Sequence, residues 1–179
     1  MKNLYLKILT FFLFFPVLNS EAQEFNGIDK SPHDIVYYRI NKITPPDIKV
    51  LYGRPQMKGR KIFGELVPYG KIWRTGADEA TEITFYKDVI FGGKNVKKGS
   101  YILYTIPGKK EWTVILNKNL DAWGTNGYDK RKDVARVSAK VSRAESVEAF
   151  SIGFKKKKDK VNMIFGWDTA RATVPIKIL

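Results

Sequence analysis

From residue 30 onward, apolar and polar side chains alternate with a period of two along much of the chain, and this pattern limits the possible folds more than any other feature. A period of two places every second side chain on one face of an extended backbone, whereas a helix needs apolar residues three and four apart. The clearest runs are Ile48, Val50, Tyr52; Trp112, Val114, Leu116; Ala135, Val137, Ala139, Val141; Phe150, Ile152, Phe154; Val161, Met163, Phe165, Trp167; and Ala172, Val174, Ile176, Ile178. Residues 35–40, 82–87, 89–91 and 101–106 are further strand candidates, with Gly92-Gly93 and Lys98-Gly99 as turns. Residues 143–149 have a composition suited to a helix, but they span only two turns and Val147 already fits the next strand. About ten half-apolar strands must cover one another, which predicts an all-β fold: a two-sheet antiparallel sandwich or jelly roll, with a closed barrel as the alternative.

Composition narrows the chemistry. The 179 residues contain no Cys and one His, so disulfides, Cys nucleophiles, Cys-ligated zinc and multi-His metal centres are excluded, and no cofactor is expected. Lys and Arg number 32 against 18 Asp and Glu, a formal charge of +14. Lys94, Lys97, Lys98, Lys109, Lys110, the run 155–158 and Lys160 fall at predicted turns, where they solvate strand ends and oppose edge pairing. No nucleic-acid partner is expected; attraction to anionic glycans or lipid headgroups fits the charge.

The N-terminus reads as a secretory signal. Lys2 and Lys7 precede the apolar run 8–18, and Ser20 and Ala22 occupy the small-residue positions of a cleavage site. Eleven residues span roughly 16 Å as a helix, at about 1.5 Å per residue, against a bilayer core of about 30 Å. The expectation is therefore a cleaved leader, 1–22, no integral membrane anchor, and a single domain, 23–179, in the periplasm or secreted.

Two segments break the alternation. Residues 54–81 form a long connection with Arg54, Lys58, Arg60, Lys61, Lys71, Arg74, Phe63, Tyr69 and Trp73; residues 119–133 carry Asp121, Trp123, Tyr128 and Asp129. Connections of that length are uncommon unless functional or partly structured.

The strings Gly53-Arg54-Pro55, Lys58-Gly59-Arg60, Ile62-Phe63-Gly64, Leu66-Val67-Pro68-Tyr69-Gly70, Trp73-Arg74-Thr75-Gly76-Ala77 and Glu79-Ala80-Thr81, continued by Trp112-Thr113-Val114-Ile115 and Asn117-Lys118, resemble a bacterial family of exported proteins catalogued as domain of unknown function 2911. The resemblance implies one domain from about Ser31 to the C-terminus and transfers no catalytic residue. It also implies Ser more often than Gly at position 53, and Asn more often than Asp at position 78.

The residues themselves suggest several kinds of chemistry. Arg54, Arg60 and Arg74 are candidates for holding a carboxylate, sulfate or phosphate through paired hydrogen bonds, or for pinning the loop to Glu65, Asp78, Glu79 or Glu82. Asp78, Glu79 and Glu82 are candidate acids or bases, Glu79 foremost, with a second carboxylate from Asp121, Asp129 or Asp168. Trp73, Trp123 and Tyr128 offer stacking faces, whereas Trp112 and Trp167 lie in strand patterns and belong to the core. His33 stands alone, and without a nucleophile elbow it makes a poor catalytic base. The reading is an exported protein that binds an anionic small molecule or glycan through Arg54, Arg60, Arg74, Glu79, Trp123 and Tyr128, with catalysis left open. The alternatives are a carboxylate-dependent glycan hydrolase and an envelope protein-interaction module.

Overall fold

The computed structural model describes Phe25 and residues 27–179; the expected leader, 1–22, lies outside the described residues. Among the described residues nine strands form: β1 (His33–Tyr38), β2 (Ile48–Gly53), β3 (Glu82–Phe85), β4 (Val89–Phe91), β5 (Lys94–Val96), β6 (Gly99–Ile106), β7 (Glu111–Asn117), β8 (Asp133–Lys157) and β9 (Lys160–Ile178). The all-β class is as expected. Among the described residues the helical structure is a single 3-10 turn, Lys130–Lys132, and no helix is long and apolar enough to cross a membrane.

Hydrogen bonding does not divide the strands into two sheets. All nine pair antiparallel in one sheet of order β1-β2-β3-β6-β7-β8-β9-β4-β5. The two long strands make the difference. The first half of β8 pairs with β7, its second half pairs with the start of β9, and the register shifts twice, between Arg143 and Val147 and between Val147 and Ser151. Alternation is lost over that stretch because its residues are largely exposed, yet the pair stays extended rather than turning helical. Ser146 donates to the Asp168 carboxylate (3.0 Å), and Asp168 itself takes a left-handed φ of 47°. Bulges of this kind bend a strand and increase its twist. The sheet curls until the chain after β2 reaches β8: Met57 N–H donates to the Glu148 carbonyl (2.8 Å) and Phe150 N–H to the Pro55 carbonyl (2.8 Å).

The curled sheet encloses an aromatic core around Trp112, Trp167, Phe150 and Phe165, each at most 1% exposed. β6 is covered on both sides, which explains its nearly continuous apolar sequence. Tyr101 and Leu103 face that core, while Ile102 and Tyr104 face a second cluster with Ile115 and Ala122, bordered by Tyr128.

Burial raises the phenol pKa of Tyr52, Tyr101, Tyr104 and Tyr128 above the ordinary value. An unfolded tyrosine ionises near pH 10. The stabilisation from keeping these phenols neutral is thus complete below about pH 10 and is lost as pH rises through the folded values. Ultraviolet titration of tyrosinate is expected to show a late-ionising group of tyrosines, with unfolding by denaturant becoming easier over that same alkaline range. A single titration centred on the free tyrosine value would contradict this.

Candidate ligand-binding site

The long connection 54–81 is ordered because it takes part in both the sheet and the core. Trp73 exchanges two backbone hydrogen bonds with Thr105 of β6 (2.7 and 2.9 Å), and Leu103 N–H donates to the Thr81 carbonyl (2.7 Å), so residues 73–81 lie along β6. Phe63 packs 4.9 Å from Trp112, and Trp73 packs 4.9 Å from Phe150 and stacks on Trp167 at 5.9 Å and 18°. Just after Trp73 the backbone turns sharply at Thr75, which is fully buried with φ 61°. A β-branched residue rarely adopts this conformation, which costs roughly 1–3 kcal/mol and persists only where surroundings over-determine it. Here the Thr75 hydroxyl donates to the Trp73 carbonyl (3.3 Å) and meets the Thr105 hydroxyl (3.1 Å), while the Thr81 hydroxyl donates to the Thr75 carbonyl (2.8 Å).

Residues 119–133 meet this connection. Ala80 N–H donates to the Ala122 carbonyl (3.0 Å) and Gly124 N–H to the Asp78 carbonyl (3.2 Å). The two segments that break the alternation therefore lie side by side, and two cavities open along them.

The first cavity, about 440 Å³, is lined by Arg60, Lys71, Arg74, Trp73 and Trp167, with Asp78 as its one carboxylate. Among the described residues, none of these three cations forms an ion pair with a carboxylate. Arg60 uses Nε and Nη2 on the Met57 and Gln56 carbonyls (2.9 and 2.7 Å), which fixes the guanidinium in place while keeping its charge. The Arg74 guanidinium lies over the Trp123 ring, 5.7 Å from its centre. Asp78 has φ 60°, a left-handed conformation that Asp and Asn tolerate best after glycine, so the Asn implied by resemblance suits the same backbone. Gly53 differs: a Cβ there would sit well inside contact distance of the Ala77 carbonyl oxygen, and the implied Ser has no room in this chain.

The second cavity, about 500 Å³, lies beyond Trp123 and is acidic: Glu79, Glu82 and Asp121 line it with His33 over an apolar floor that includes Leu51 and Ile102. Glu79 Oε2 lies 3.1 Å from His33 Nε2, and both side chains remain open to solvent. Trp123 is 60% exposed between the two cavities. Among the described residues, no group of three or more His, Asp or Glu is arranged to hold a metal ion.

The remaining sequence candidates lie elsewhere. Arg54 is committed to the protein, donating to the Asp34 carboxylate (3.1 Å), the Ser151 hydroxyl (2.9 Å) and the Phe150 carbonyl (3.2 Å), and so ties β1, β2 and β8 together. Tyr128 donates to Asp133 (2.9 Å), accepts from Arg136 (2.8 Å) and packs edge-on against Tyr104 at 5.1 Å, which makes it part of the second core cluster. Asp129 caps the 3-10 turn, and hydrogen bonds from Arg131 hold its carboxyl below the usual range, the opposite of what a general acid requires. Sequence reasoning missed Lys71 and Trp167 as cavity walls and the pairing of His33 with Glu79. Lys71, between Gly70 and Ile72 in the cationic connection, was the one with a visible signal.

Fold and site together define a curled antiparallel β protein whose longest connection builds a cationic, tryptophan-walled cavity. Residues 31–176 match the family described as protein of unknown function (DUF2911), and the chain belongs to that family. No curated protein and no solved structure matches it.

Proposed function

We propose that this is an exported protein that binds an anionic small molecule or acidic saccharide in the first cavity, with Arg60, Lys71 and Arg74 meeting the anion and the exposed face of Trp123 extending the site for a sugar ring. The observation that supports this most is three cations without carboxylate partners around one aromatic-walled cavity. Unpaired like charges held close together repel, and an anion relieves that cost while gaining charge-assisted hydrogen bonds. Export rests on the basic, apolar and small-residue order of 1–22.

The test is a thermal-shift and calorimetric panel of inorganic phosphate, sugar phosphates and uronic-acid oligosaccharides on the purified chain. Arg74→Ala is expected to weaken binding by about 10- to 100-fold, the range for a hydrogen bond to a charged group, with little change in the unliganded melting temperature. Asp78→Asn, which removes the opposing carboxylate, is expected to tighten it. Unchanged affinity alongside a lowered melting temperature in Arg74→Ala would assign the arginine to structure alone.

The second cavity favours a second reading, a glycan-directed hydrolase with Glu79 as acid or base, because Glu79, Asp121 and the imidazole of His33 face the same open space. That chemistry needs two carboxyl groups about 5 to 9.5 Å apart across the bond. Hydrolysis of any glycan in the panel that Glu79→Gln abolishes, with binding retained, would support it over simple binding.

A further inference from the structure

At the ends of β1 and β2 away from the cavities, a second feature has no role in ligand binding. The register pairs His33 with Gly53 at the cavity end and Tyr38 with Ile48 at the other, so the strands carry the chain roughly 17 Å, at about 3.3 Å per residue, to the β1–β2 turn. That turn exposes Ile40 (65%) and Ile43 (93%) next to Arg39 and Lys42. It is tightly built: the Asn41 side-chain oxygen accepts from the backbone N–H groups of Ile43 (3.1 Å) and Thr44 (3.0 Å), Arg39 donates to the Thr44 carbonyl (3.0 Å), and Asp47 N–H closes the hairpin on the Tyr38 carbonyl (2.9 Å). The isoleucines are therefore presented outward by a fixed turn.

The β8–β9 hairpin ends beside it. Tyr38 packs 5.9 Å from Phe154, and Ile40 shares a shallow depression with Lys156, Lys158 and Lys160. Lys155, Lys156, Lys157, Lys158 and Lys160 are all exposed on this tip. The nearby carboxylates are already answered, Asp159 by Lys177 at 3.6 Å and Asp47 by Lys87 at 2.9 Å. Two adjacent turns thus present seven cations around two protruding isoleucines.

We propose that this end of the molecule docks on the surface of an anionic lipid bilayer, with the lysines at the headgroup phosphates and Ile40 and Ile43 entering the acyl boundary. A bilayer surface accepts both kinds of side chain at one depth, whereas a soluble polyanion answers the charge and leaves the isoleucines in water. Docked this way, the ligand cavities face away from the membrane.

The test is co-sedimentation of the purified chain with phosphatidylcholine vesicles, with and without phosphatidylglycerol. Binding is expected only with phosphatidylglycerol present and is expected to fall as salt rises. The double variant Ile40→Ser, Ile43→Ser should weaken it at least about tenfold through lost apolar burial. Lys156→Glu with Lys158→Glu should weaken it by more than about 25-fold, roughly fivefold for each charge removed. Because all four side chains are exposed, melting temperatures should stay within a few degrees of the parent. Equal binding to neutral vesicles, no binding to either, or full binding by the isoleucine variant together with displacement by a soluble acidic polysaccharide would each overturn the proposal, the last assigning the patch to polyanions.

Discussion

Trp73→Ala is expected to lower the unfolding free energy by about 3 kcal/mol, while Trp123→Ala, fifty residues further along, should cost less than about 1 kcal/mol. Both residues are tryptophans in irregular segments beside a cavity, Trp73 at the first and Trp123 at the second, so the contrast comes from packing. Trp73 has Trp167 stacked at 5.9 Å, Phe150 edge-on at 4.9 Å, and Trp112 and Phe63 each at 6.3 Å. Its indole N–H donates to the Gly76 carbonyl (3.1 Å), so truncation empties the junction of loop and core and also leaves a buried acceptor without its partner. Truncating Trp123, 60% exposed, removes its contact with Arg74, a cation–π interaction worth about 0.5–1 kcal/mol at such a site. Urea titration of the two variants measures the difference directly. Equal destabilisation would mean that residues 54–81 do not carry the core as described. Ligand binding should respond in both: in Trp73→Ala because the cavity wall collapses, and in Trp123→Ala because the stacking face is lost while the fold survives.

The second large effect is expected at a residue with no side chain. Gly53→Ala should destabilise the protein by about 3 kcal/mol, the upper part of the range for overpacking. The new Cβ would press on the Ala77 carbonyl, a backbone atom that cannot swing aside as a flexible side chain would. Relief requires β2 and the segment 75–77 to separate, which breaks the hydrogen bond from Ala77 N–H to the Gly53 carbonyl (3.3 Å). Gly76 has the same constraint from the other side, since a Cβ there would lie 2.8 Å from the Gly53 carbonyl oxygen and 3.1 Å from the Thr81 hydroxyl. The effect should reach the cavity, because Arg74 and Asp78 flank this crossing. A Gly53→Ala protein with parental stability and parental affinity would show that the crossing yields easily and does not set the site.

The strands were legible where one face is buried and the other is not. In β2 and the outer parts of β8 and β9 the alternation in the sequence is the alternation in burial, whereas β7 is buried on both faces from Val114 onward. Four expected strands became two because the break at 143–149 is a pair of bulges; a bulge interrupts the period without ending the pairing, and composition cannot distinguish that from a turn. β5, Lys94–Val96, escaped notice because two of its three residues are exposed and polar, so it shows no apolar face. The site was less legible. Arg54, Arg60 and Arg74 are equivalent by residue type, yet one is consumed by Asp34, Phe150 and Ser151, one is anchored by its own loop, and one lies on Trp123. Tyr128 and Asp129 lie near Trp123 in sequence, but their polar atoms are engaged by Asp133, Arg136 and Arg131.

The amino-acid order by itself determined that the chain is built from strands, that its chemistry excludes thiols and histidine clusters, and that its unusual residues are concentrated in 54–81 and 119–133. Each of these follows from local periodicity or from which residue types are present. Only the tertiary structure decided that the strands join in one curled sheet, that Trp73 belongs to the core while Trp123 faces solvent, and that His33 meets Glu79. These facts depend on how far β8 and β9 bend and on which distant backbone groups pair, and such contacts between residues far apart in sequence leave no mark in the local pattern.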